Sequence, residues 1–417
     1  MKFFYVILGV IILIEVYGYR AIRTLTTDSN PQLRTFALWA YIAIFIFFIL
    51  NVIVVSIFRE KLLHFKSFNY MLFMGGFGVL FFVPKIPIVV FELIADFTKL
   101  ITWLFKSATE PNSKVYQTAD IISRSNFILK IGVIIALIPF VSFFYAMVKG
   151  RYNFEINRFR LSYQNLPASF SGLKIVQVSD IHLGNFGNST EKLQEVVDLI
   201  NEQDPDLVFI TGDIVNILAS ELTPYISVLQ NVKAKTGKYA ILGNHDYGDY
   251  YTWESEQQKK DNLNTLIENY KKTGFKLLLN ENEVIESPAG NLGIIGIENW
   301  GLPPFPQYGD FEKAKKNMKK TDFNILLAHD PTFFEVVVKK EDNINLTLSG
   351  HTHGFQMAVD IPGLIRWSPV QYKYKQWGGL YKEDKGILYV NVGLGVVGYP
   401  GRIGVPPEIS VFELSKE

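Results

Sequence analysis

Long apolar runs fill the first 150 residues of this 417-residue chain and restrict its fold more than any other feature. Residues 36–50, for example, contain no charged side chain. A bilayer core about 30 Å thick takes about 20 mostly apolar helical residues to cross, because lipid offers no partner to an unpaired backbone group. Residues 1–150 therefore predict a transmembrane helical domain.

Four segments of this domain are long and apolar enough to span a bilayer: residues 3–19, 36–58, about 70–105, and 127–148. The first begins like a signal peptide, but no small-x-small cleavage site follows it, so we expect an uncleaved span. His64 lies between the second and third segments. We expect it to be an interfacial residue without a catalytic role.

The third segment carries four charges that would be costly against lipid: Lys85, Glu92, Asp96 and Lys99. One long helix kinked near Pro84 would carry its charged half out of the bilayer, and the alternative is a span followed by a separate amphipathic helix. We expect the kinked helix. A transport path lined by these charges is less favoured, since the chain shows neither more spans nor an internal repeat.

Four spans place residues 151–417 on the same side of the membrane as residue 1. Lys and Arg near the spans number eight on that side and six on the other. Cytoplasmic loops carry the excess of basic residues in membrane proteins. We therefore expect a multi-pass protein of the inner (cytoplasmic) membrane, with residues 151–417 on the cytoplasmic side.

Residues 151–417 alternate short β-rich runs with polar turns and helical stretches, which predicts a separate α/β domain with a largely parallel sheet. Such folds place ligands at the carboxyl ends of strands. The predicted strands cover residues 173–179, 207–211, 239–242, 292–297, 325–328, 346–349, 387–392 and 409–414. The clearest predicted helices cover residues 191–201, 261–272 and 311–320.

Composition excludes several kinds of site. The chain has no cysteine, so disulfides, iron–sulfur clusters and Cys-based zinc sites are excluded. Any metal must be held by imidazole, carboxylate or amide groups. The formal net charge of +1 gives no reason to expect a basic nucleic-acid surface, and we expect no nucleic-acid partner. The sequence does not indicate an oligomeric state.

Five of the six histidines fall in an ordered series of short motifs, each at the end of a predicted strand. The motifs are Asp180-Ile181-His182, Gly212-Asp213, Gly243-Asn244-His245-Asp246, Ala328-His329-Asp330 and Gly350-His351-Thr352-His353. A lone Gly-Asp is usually a turn, and a lone His-x-His is often a surface accident. Histidine gathered with Asp and Asn at five strand ends instead indicates metal ligands.

The order of these motifs resembles that of the calcineurin-like metallophosphoesterases, over roughly residues 172–417. The resemblance implies a four-layer αββα sandwich, in which two mixed sheets pack face to face with helices outside. It also implies two divalent metal ions, Mn first, with Fe, Zn or Co also compatible with the ligands. Two ions about 3.5–4 Å apart activate water and clamp a phosphate ester.

Seven residues become metal ligands by this resemblance: Asp180, His182 and His353 at the first metal, Asp213 as the bridge, and Asn244, His329 and His351 at the second. Residues two apart on leaving a strand point the same way, which suits Asp180 and His182 to one ion. The glycines that precede ligands let the backbone approach closely, because they have no Cβ. They are Gly212, Gly243 and Gly350.

The resemblance leaves His245 free of metal, as a general acid for the leaving oxygen or a stabiliser of charge in the transition state. We expect Asp246 to orient the His245 ring by accepting a hydrogen bond from it. Asp330 either plays a similar part beside His329 or caps the helix that begins near Pro331, and we expect the cap.

Residues 393–409 resemble the glycine-rich closing loop of membrane-associated members of this family. Arg402 in this loop has two possible roles: pairing with a phosphate oxygen at the metal site, or pinning its own loop through backbone carbonyls. Two departures from the family pattern concern the pocket. Phe355 interrupts the Gly-Gly-Gln that often follows the last motif, and no Arg follows Asp213 closely, which argues against a phosphoserine phosphatase.

A hydrolase attached to membrane helices suits a lipid-linked phosphate substrate. Aromatic residues and lysines interleave after the last motif, as at an acyl-chain or headgroup boundary, although an aromatic loop packed on its own domain would look the same. They are Trp367, Tyr372, Lys373, Tyr374, Lys375, Trp377, Leu380 and Tyr381.

Some membrane-associated members of the family resemble UDP-2,3-diacylglucosamine pyrophosphatases, which release UMP. We therefore expect hydrolysis of a lipid-linked phosphate ester or pyrophosphate, in lipid metabolism. A broad-specificity phosphodiesterase or a phospholipid phosphatase is the alternative. A non-catalytic membrane sensor is least favoured, because its sign would be the loss of a ligand and the set is complete.

Overall fold

The structure, a computed structural model, describes residues 2–62, 65–109, 119–186, 189–341, 343–361 and 363–417, without the side chains at 2–8, 59–62, 65–69, 106–109 and 119–125. His64 lies outside the described residues. The chain divides into two compact units, one formed by Met1–Arg59 and Met74–Tyr145 and the other by Glu60–Phe73 and Ala146–Glu417.

Long helices account for most of the described N-terminal part: α1 Lys2–Leu25, α2 Pro31–Leu62, α3 Phe65–Phe82, α4 Lys85–Thr109 and α5 Ala119–Val148. Within the described residues, three stretches are long and apolar enough to cross a membrane: Pro31–Phe58, Tyr70–Phe105 and Asn126–Tyr152. They correspond to the second, third and fourth predicted spans. The first predicted span forms α1, which is not among the three.

The third predicted span is interrupted beside its first proline. Helix α3 ends at Phe82 and α4 begins at Lys85, so two helices stand where we expected one kinked helix. Proline has no N–H to continue the helical ladder, and Pro84 lies at the break. Pro87 lies in the first turn of α4, where a missing N–H costs nothing.

The charges of α4 are paired inside the helical unit. Lys85 Nζ lies 2.6 Å from Glu15 Oε1 on α1, and the same carboxylate accepts a 2.7 Å hydrogen bond from the Tyr41 hydroxyl. About one turn further along α1, Arg20 donates hydrogen bonds to both oxygens of Asp96, from Nη1 to Oδ2 at 2.8 Å and from Nη2 to Oδ1 at 3.1 Å. Opposite charges that pair in this way cost less in a membrane than isolated charges, so no transport path is needed to explain them.

Short strands build the second unit. In chain order they are β1 Glu155–Tyr163, β2 Lys174–Val178, β3 Leu207–Thr211, β4 Gly237–Ile241, β5 Lys276–Leu277, β6 Glu281–Ile285, β7 Leu292–Gly296, β8 Phe323–Leu327, β9 Leu346–Ser349, β10 Val359–Ile361, β11 Ile365–Trp367, β12 Gly379–Glu383, β13 Gly386–Val390 and β14 Glu408–Lys416. The helices are α6 Thr190–Asn201, α7 Ile226–Gln230, α8 Glu256–Thr273, α9 Phe311–Lys315 and α10 Thr332–Val336.

The described strands form two six-stranded sheets, ordered β1-β14-β2-β3-β4-β5 and β12-β13-β9-β8-β7-β6, and a separate ribbon of β10 and β11. Both sheets are mixed, because β14 runs antiparallel to β2 while β6 and β12 run antiparallel to their neighbours. The single, largely parallel sheet that alternation predicts is therefore wrong. The alternation of β-rich runs with helical stretches shows where the strands lie, but it does not show whether they form one sheet or two.

One apolar core lies between the sheets, where Phe209 of β3 and Ile325 of β8 are fully buried in one cluster. A second core lies between the first sheet and α6–α8, and a third between the other sheet and α9 and α10. This arrangement confirms the four-layer sandwich. Strands β2, β3 and β4 of one sheet and β8 and β9 of the other each run directly into one of the motifs.

Candidate metal centre

The five motifs meet in one buried cluster. His182 Nε2 lies 3.1 Å from His353 Nε2, and Asp180 Oδ1 lies 3.2 Å from the same His353 nitrogen. Beside this group, His351 Nδ1 lies 2.8 Å from Asn244 Oδ1. The structure thus brings Asp180, His182 and His353 together as one set of donors, and its neighbour holds His351 and Asn244.

Asp213 lies between the two sets. Its Oδ2 atom is 3.2 Å from His329 Nε2 and 3.7 Å from His182 Nε2. Its other oxygen accepts a 2.8 Å hydrogen bond from the His245 backbone N–H, which fixes the plane of the carboxylate. A single carboxylate shared in this way is what two neighbouring cations require.

The backbone at the motifs adopts a conformation that side chains rarely take. Five of the seven expected ligands have a positive φ: Asp180 49°, His182 50°, Asp213 53°, His351 74° and His353 51°. Each such residue costs on the order of 1–2 kcal/mol, although Asp and His tolerate the region better than most. Strain gathered at one place marks a functional site, because only surrounding contacts can hold it.

Glycines allow the strained loops to pack closely against one another. Gly212 has φ +96°, and a Cβ placed on it would lie 2.5 Å from His329 Nδ1. A Cβ on Gly350 would collide with the Ser179 hydroxyl and the Asp180 carboxylate. Close approach also permits the His351 N–H to donate to Asp180 Oδ2 at 2.9 Å, which links the first motif to the last.

These donors fit metal ions. Two nitrogens that each lie about 2.1 Å from one ion are about 3.0–3.4 Å apart, and the His182–His353 distance falls in this range. Burial, with His245 and His353 nearby, holds the pKa of His182 well below its usual value, and burial likewise lowers the pKa of His351. Both rings are therefore neutral, the form that binds metal.

The electrostatics of the bridge also favour a cation. Although burial opposes it, the charge of Asp213 raises the pKa of His329 to about 10. His329 Nδ1 donates to the Thr211 carbonyl at 2.7 Å, and Nε2 points at Asp213. Positive charge is thus stabilised at the position that lies between Asp213 and His329.

His245 stands beside the cluster, and its ring is oriented by a residue that the sequence did not suggest. Its Nδ1 lies 2.7 Å from the Asn216 carbonyl, so Nδ1 carries a proton and Nε2 is left free. Asp246 is instead buried beneath the loops and accepts backbone N–H groups of Gly243, Asp213, Ile214 and Val215. The expectation that Asp246 orients the ring is wrong, because its four acceptor positions are taken.

Arg402 is buried and faces its own loop. Its guanidinium donates to the carbonyls of Gly395 and Val392 at 2.9 Å each, and burial lowers the pKa of Arg402 to about 10. A second nitrogen contact reaches His353 Nδ1 at 3.4 Å. Arg402 therefore pins the closing loop behind His353, an expected ligand, and pairing with a substrate phosphate, the other role considered, does not fit its burial.

Two tyrosines that motif reasoning did not assign hold the second set of donors. The Tyr374 hydroxyl lies 2.7 Å from His351 Nε2, opposite the nitrogen that faces Asn244. Tyr250 accepts a 2.8 Å hydrogen bond from Asn244 Nδ2, which leaves the amide oxygen directed at the cluster. No spacing rule marks these tyrosines, since they come from separate loops.

Asp330 combines the two roles considered for it. Oδ1 accepts from the Thr332 N–H at 2.8 Å at the start of α10, whereas Oδ2 lies 3.4 Å from His351 Nε2. The expected cap is therefore present, and the second oxygen faces a ligand. Carboxylates behind a histidine ligand fix its tautomer and raise its basicity.

The aromatic segment after the last motif splits into buried and exposed members. Trp377 and Tyr374 are buried with Val392 and Val405 in a small core of their own. Tyr372 is 81% exposed and Lys373 and Lys375 are also exposed. Trp377 thus belongs to the packed interior and not to a surface for lipid.

Two family patterns match the chain. Residues 1–151 match a family described as probable calcineurin-like phosphoesterase, transmembrane domain, and residues 173–355 match the calcineurin-like phosphoesterases. The transmembrane match agrees with the candidate spans, so the protein is membrane-associated.

Relatives from several organisms are named as metallophosphoesterases or as having a metallophosphoesterase domain. YkuE of Bacillus subtilis, an uncharacterized metallophosphoesterase, is 33% identical over 60% of this chain and 81% of its own length. An uncharacterized metallophosphoesterase of Campylobacter jejuni is 28% identical over 91% of this chain and 98% of its own length. A zebrafish protein, transmembrane protein with metallophosphoesterase domain, is 32% identical over 61% of this chain and 55% of its own. With its motifs joined in one His/Asp cluster, the chain belongs to the calcineurin-like metallophosphoesterases and is a metal-dependent phosphoester hydrolase of a membrane.

Proposed function

We propose that this protein hydrolyses a phosphate ester or pyrophosphate of a lipid-linked substrate at two divalent metal ions. The observation that carries the proposal is the pair of donor sets joined by Asp213, in a chain that also has membrane spans. We assign residues 1–150 to the membrane domain and residues 151–417 to the hydrolase.

We propose a complete set of ligands among the described residues. We assign Asp180, His182 and His353 to one ion, Asp213 to both, and Asn244, His329 and His351 to the other. Two such ions, when bound, supply a nucleophile at neutral pH and offset the charge of the phosphoryl oxygens. Imidazole and carboxylate together suit Mn, which we propose as the resident metal, and equally admit Fe, Zn or Co.

His245 is proposed as the group that handles the leaving oxygen. Its Nδ1 proton is committed to the Asn216 carbonyl, so the exchangeable position is Nε2. The ring is partly exposed and lies at 4.8 Å, centroid to centroid, from His182 at the edge of the cluster. From this position Nε2 can hand a proton to a departing alkoxide or phosphate, which a buried ligand cannot do.

A membrane-bound hydrolase gains most from a substrate that is confined to the same membrane, because confinement raises its effective concentration. The proposed substrate class includes UDP-2,3-diacylglucosamine, from which cleavage would release UMP. We propose the inner membrane as location, with the hydrolase on the cytoplasmic side and without a nucleic-acid partner. A broad-specificity phosphodiesterase or a phospholipid phosphatase uses the same centre and is distinguished only by its products.

The test is a product analysis on the purified full chain. The protein with added Mn²⁺ is incubated with nucleotide-linked lipids, simple phospholipids and a water-soluble diester, and the products are identified by mass. Release of a nucleoside monophosphate from the diacylated substrate supports the proposal. Cleavage of the soluble diester alone overturns the lipid substrate and leaves a general phosphodiesterase.

A further inference from the structure

The ribbon formed by β10 and β11 stands outside both large sheets and presents apolar side chains to solvent. Leu364, at its turn, is 78% exposed, and Val359, Ile361 and Ile365 are each between 44% and 48% exposed. Contiguous exposed apolar surface is uncommon in soluble domains and marks a place of contact. Nothing in the catalytic chemistry described above uses these side chains.

Strand register puts the apolar residues on one face of the ribbon. Val359 pairs with Trp367 and Ile361 with Ile365, so these side chains point the same way. The other face carries Asp360 and Arg366, which form a 3.5 Å ion pair. The two faces of the ribbon therefore differ in polarity.

The polar face is fastened to the hydrolase domain. Arg366 stacks over the Trp377 ring at 4.6 Å and donates to the Gly378 carbonyl. At the exit of the ribbon, Ser368 donates to the Gly354 carbonyl at 2.8 Å, next to the ligand His353. The ribbon is thus held against the turn of the last motif while its apolar face stays open.

Residues beside the ribbon have the composition of a membrane interface. Phe355 is 59% exposed and Tyr372 is 81% exposed, and Lys373 and Lys375 are exposed near them in sequence. Tyrosine with an apolar ring and a polar end, and lysine with a long apolar stem, are favoured at headgroup level. Lysine is depleted at protein–protein interfaces, so the combination of aromatic residues with lysines favours a lipid surface over a protein partner.

We propose that the apolar face of the β10–β11 ribbon inserts into the surface of the bilayer and brings the headgroup region next to the metal centre. The occupant is the bilayer, because only two residues separate the candidate span Asn126–Tyr152 from β1. Such a short tether keeps lipid at high effective concentration around the domain. The inference rests on the proposed lipid-linked substrate, so its test reads membrane contact and not turnover.

The chain has no cysteine, so a single introduced cysteine allows a thiol-reactive label to be attached at one chosen position. The full chain carrying Leu364→Cys is labelled with an environment-sensitive fluorophore and reconstituted in vesicles of phosphatidylethanolamine and phosphatidylglycerol. Nitroxide-labelled lipids should remove roughly half or more of its emission, because apolar faces of interfacial elements lie about 5–10 Å inside the headgroup boundary. Its emission should also shift to the blue relative to that of the labelled control variant described next.

The matched control is Glu268→Cys on the exposed surface of α8, labelled in the same way. Its emission should stay that of a water-exposed label, with little quenching. Equal quenching at positions 364 and 268 would overturn the proposal, as would a water-exposed label at 364. Energy transfer between two labelled copies, without lipid quenching, would assign the face to a second copy. Thermal unfolding of both variants verifies that they fold. Because quenching reports membrane contact and not turnover, a failed insertion is also distinct from a failed hydrolase assay.

Discussion

The helical unit and the hydrolase unit both bury ionisable groups but satisfy them in opposite ways. In the helical unit, described cations meet anions, as Lys85 does with Glu15 and Arg20 with Asp96. At the metal centre, uncharged candidate ligands meet one another: His182 faces His353, and His351 faces Asn244. The first arrangement is complete within the chain, whereas the second needs cations from outside.

This difference separates a structural charge from a functional one. A buried ion pair neutralises itself, so its presence indicates how helices are joined and says little about chemistry. Imidazole nitrogens and amide oxygens that converge in this way can bind one cation together. Strained backbone at five of the donors agrees, since metal binding can offset a cost that an unbound loop would relieve.

The largest effect is expected from the residue that serves both donor sets. Asp213→Asn should lower kcat by on the order of 10³-fold or more and reduce metal content with it, because the carboxylate is shared. Metal analysis and hydrolysis of a soluble diester measure the two effects. Asp310→Asn, which alters only the cap of α9, is the control. Full metal content with normal turnover in Asp213→Asn would show that the cluster does not depend on a shared carboxylate, and the proposed difference between the helical unit and the metal centre would be wrong.

A smaller effect is expected from the histidine at the edge of the cluster. His245→Ala should lower kcat by about 10²–10⁴-fold and leave metal content intact, the result of losing a proton donor. Esters with good leaving groups should lose less activity, because they need less protonation. Loss of a metal ion in this variant would instead make His245 a ligand through its free Nε2, next to His182 and Asp213.

The hydrogen bond behind His351 should matter less. Tyr374→Phe removes the hydroxyl that lies 2.7 Å from His351 Nε2 and should weaken metal binding by about 10–100-fold, the usual effect of losing a partner behind a ligand. A metal titration followed by calorimetry measures it. Tyr372→Phe changes an exposed ring nearby and should bind metal normally. Identical affinities for the two variants would show that Tyr374 only packs.

The smallest effect on hydrolysis is expected in the helical unit. Lys85→Gln leaves Glu15 buried without its cation and should cost up to about 3–5 kcal/mol of stability, while kcat and metal content stay within about twofold. Thermal unfolding in detergent and metal analysis measure both. Lys99→Gln, at a more exposed pair, should cost at most about 1 kcal/mol. Metal loss in Lys85→Gln would show that the ion pair is not purely structural.

The sequence predicts most of what is local in this protein. The strands that carry the motifs, such as β3 and β9, lie where alternation places them, because apolar period and turn residues are properties of short segments. The seven expected ligands also lie together, since parallel strands end at one edge. The family resemblance was needed for the two-sheet arrangement.

What the sequence could not predict depends on partners that are distant in the chain. Asp246 binds the backbone of the loop at 213–215, and Arg402 binds carbonyls that come near it only when its loop closes. Trp377 is as aromatic as Tyr372, yet one is buried and the other exposed. Composition gives the chemical type of these residues, and only the folded loops decide which way each side chain faces.

The place of β14 in its sheet has a consequence for synthesis of the protein. This strand follows all the other described strands in the chain, yet it lies between β1 and β2, and its Glu408 accepts a hydrogen bond from Asn157 of β1, 251 positions away. Helices of the membrane part emerge from the ribosome long before that and can insert on their own. Until β14 is synthesised, β1 and β2 lack the strand that lies between them, so this sheet of the hydrolase domain can be completed only after all its other strands have been made.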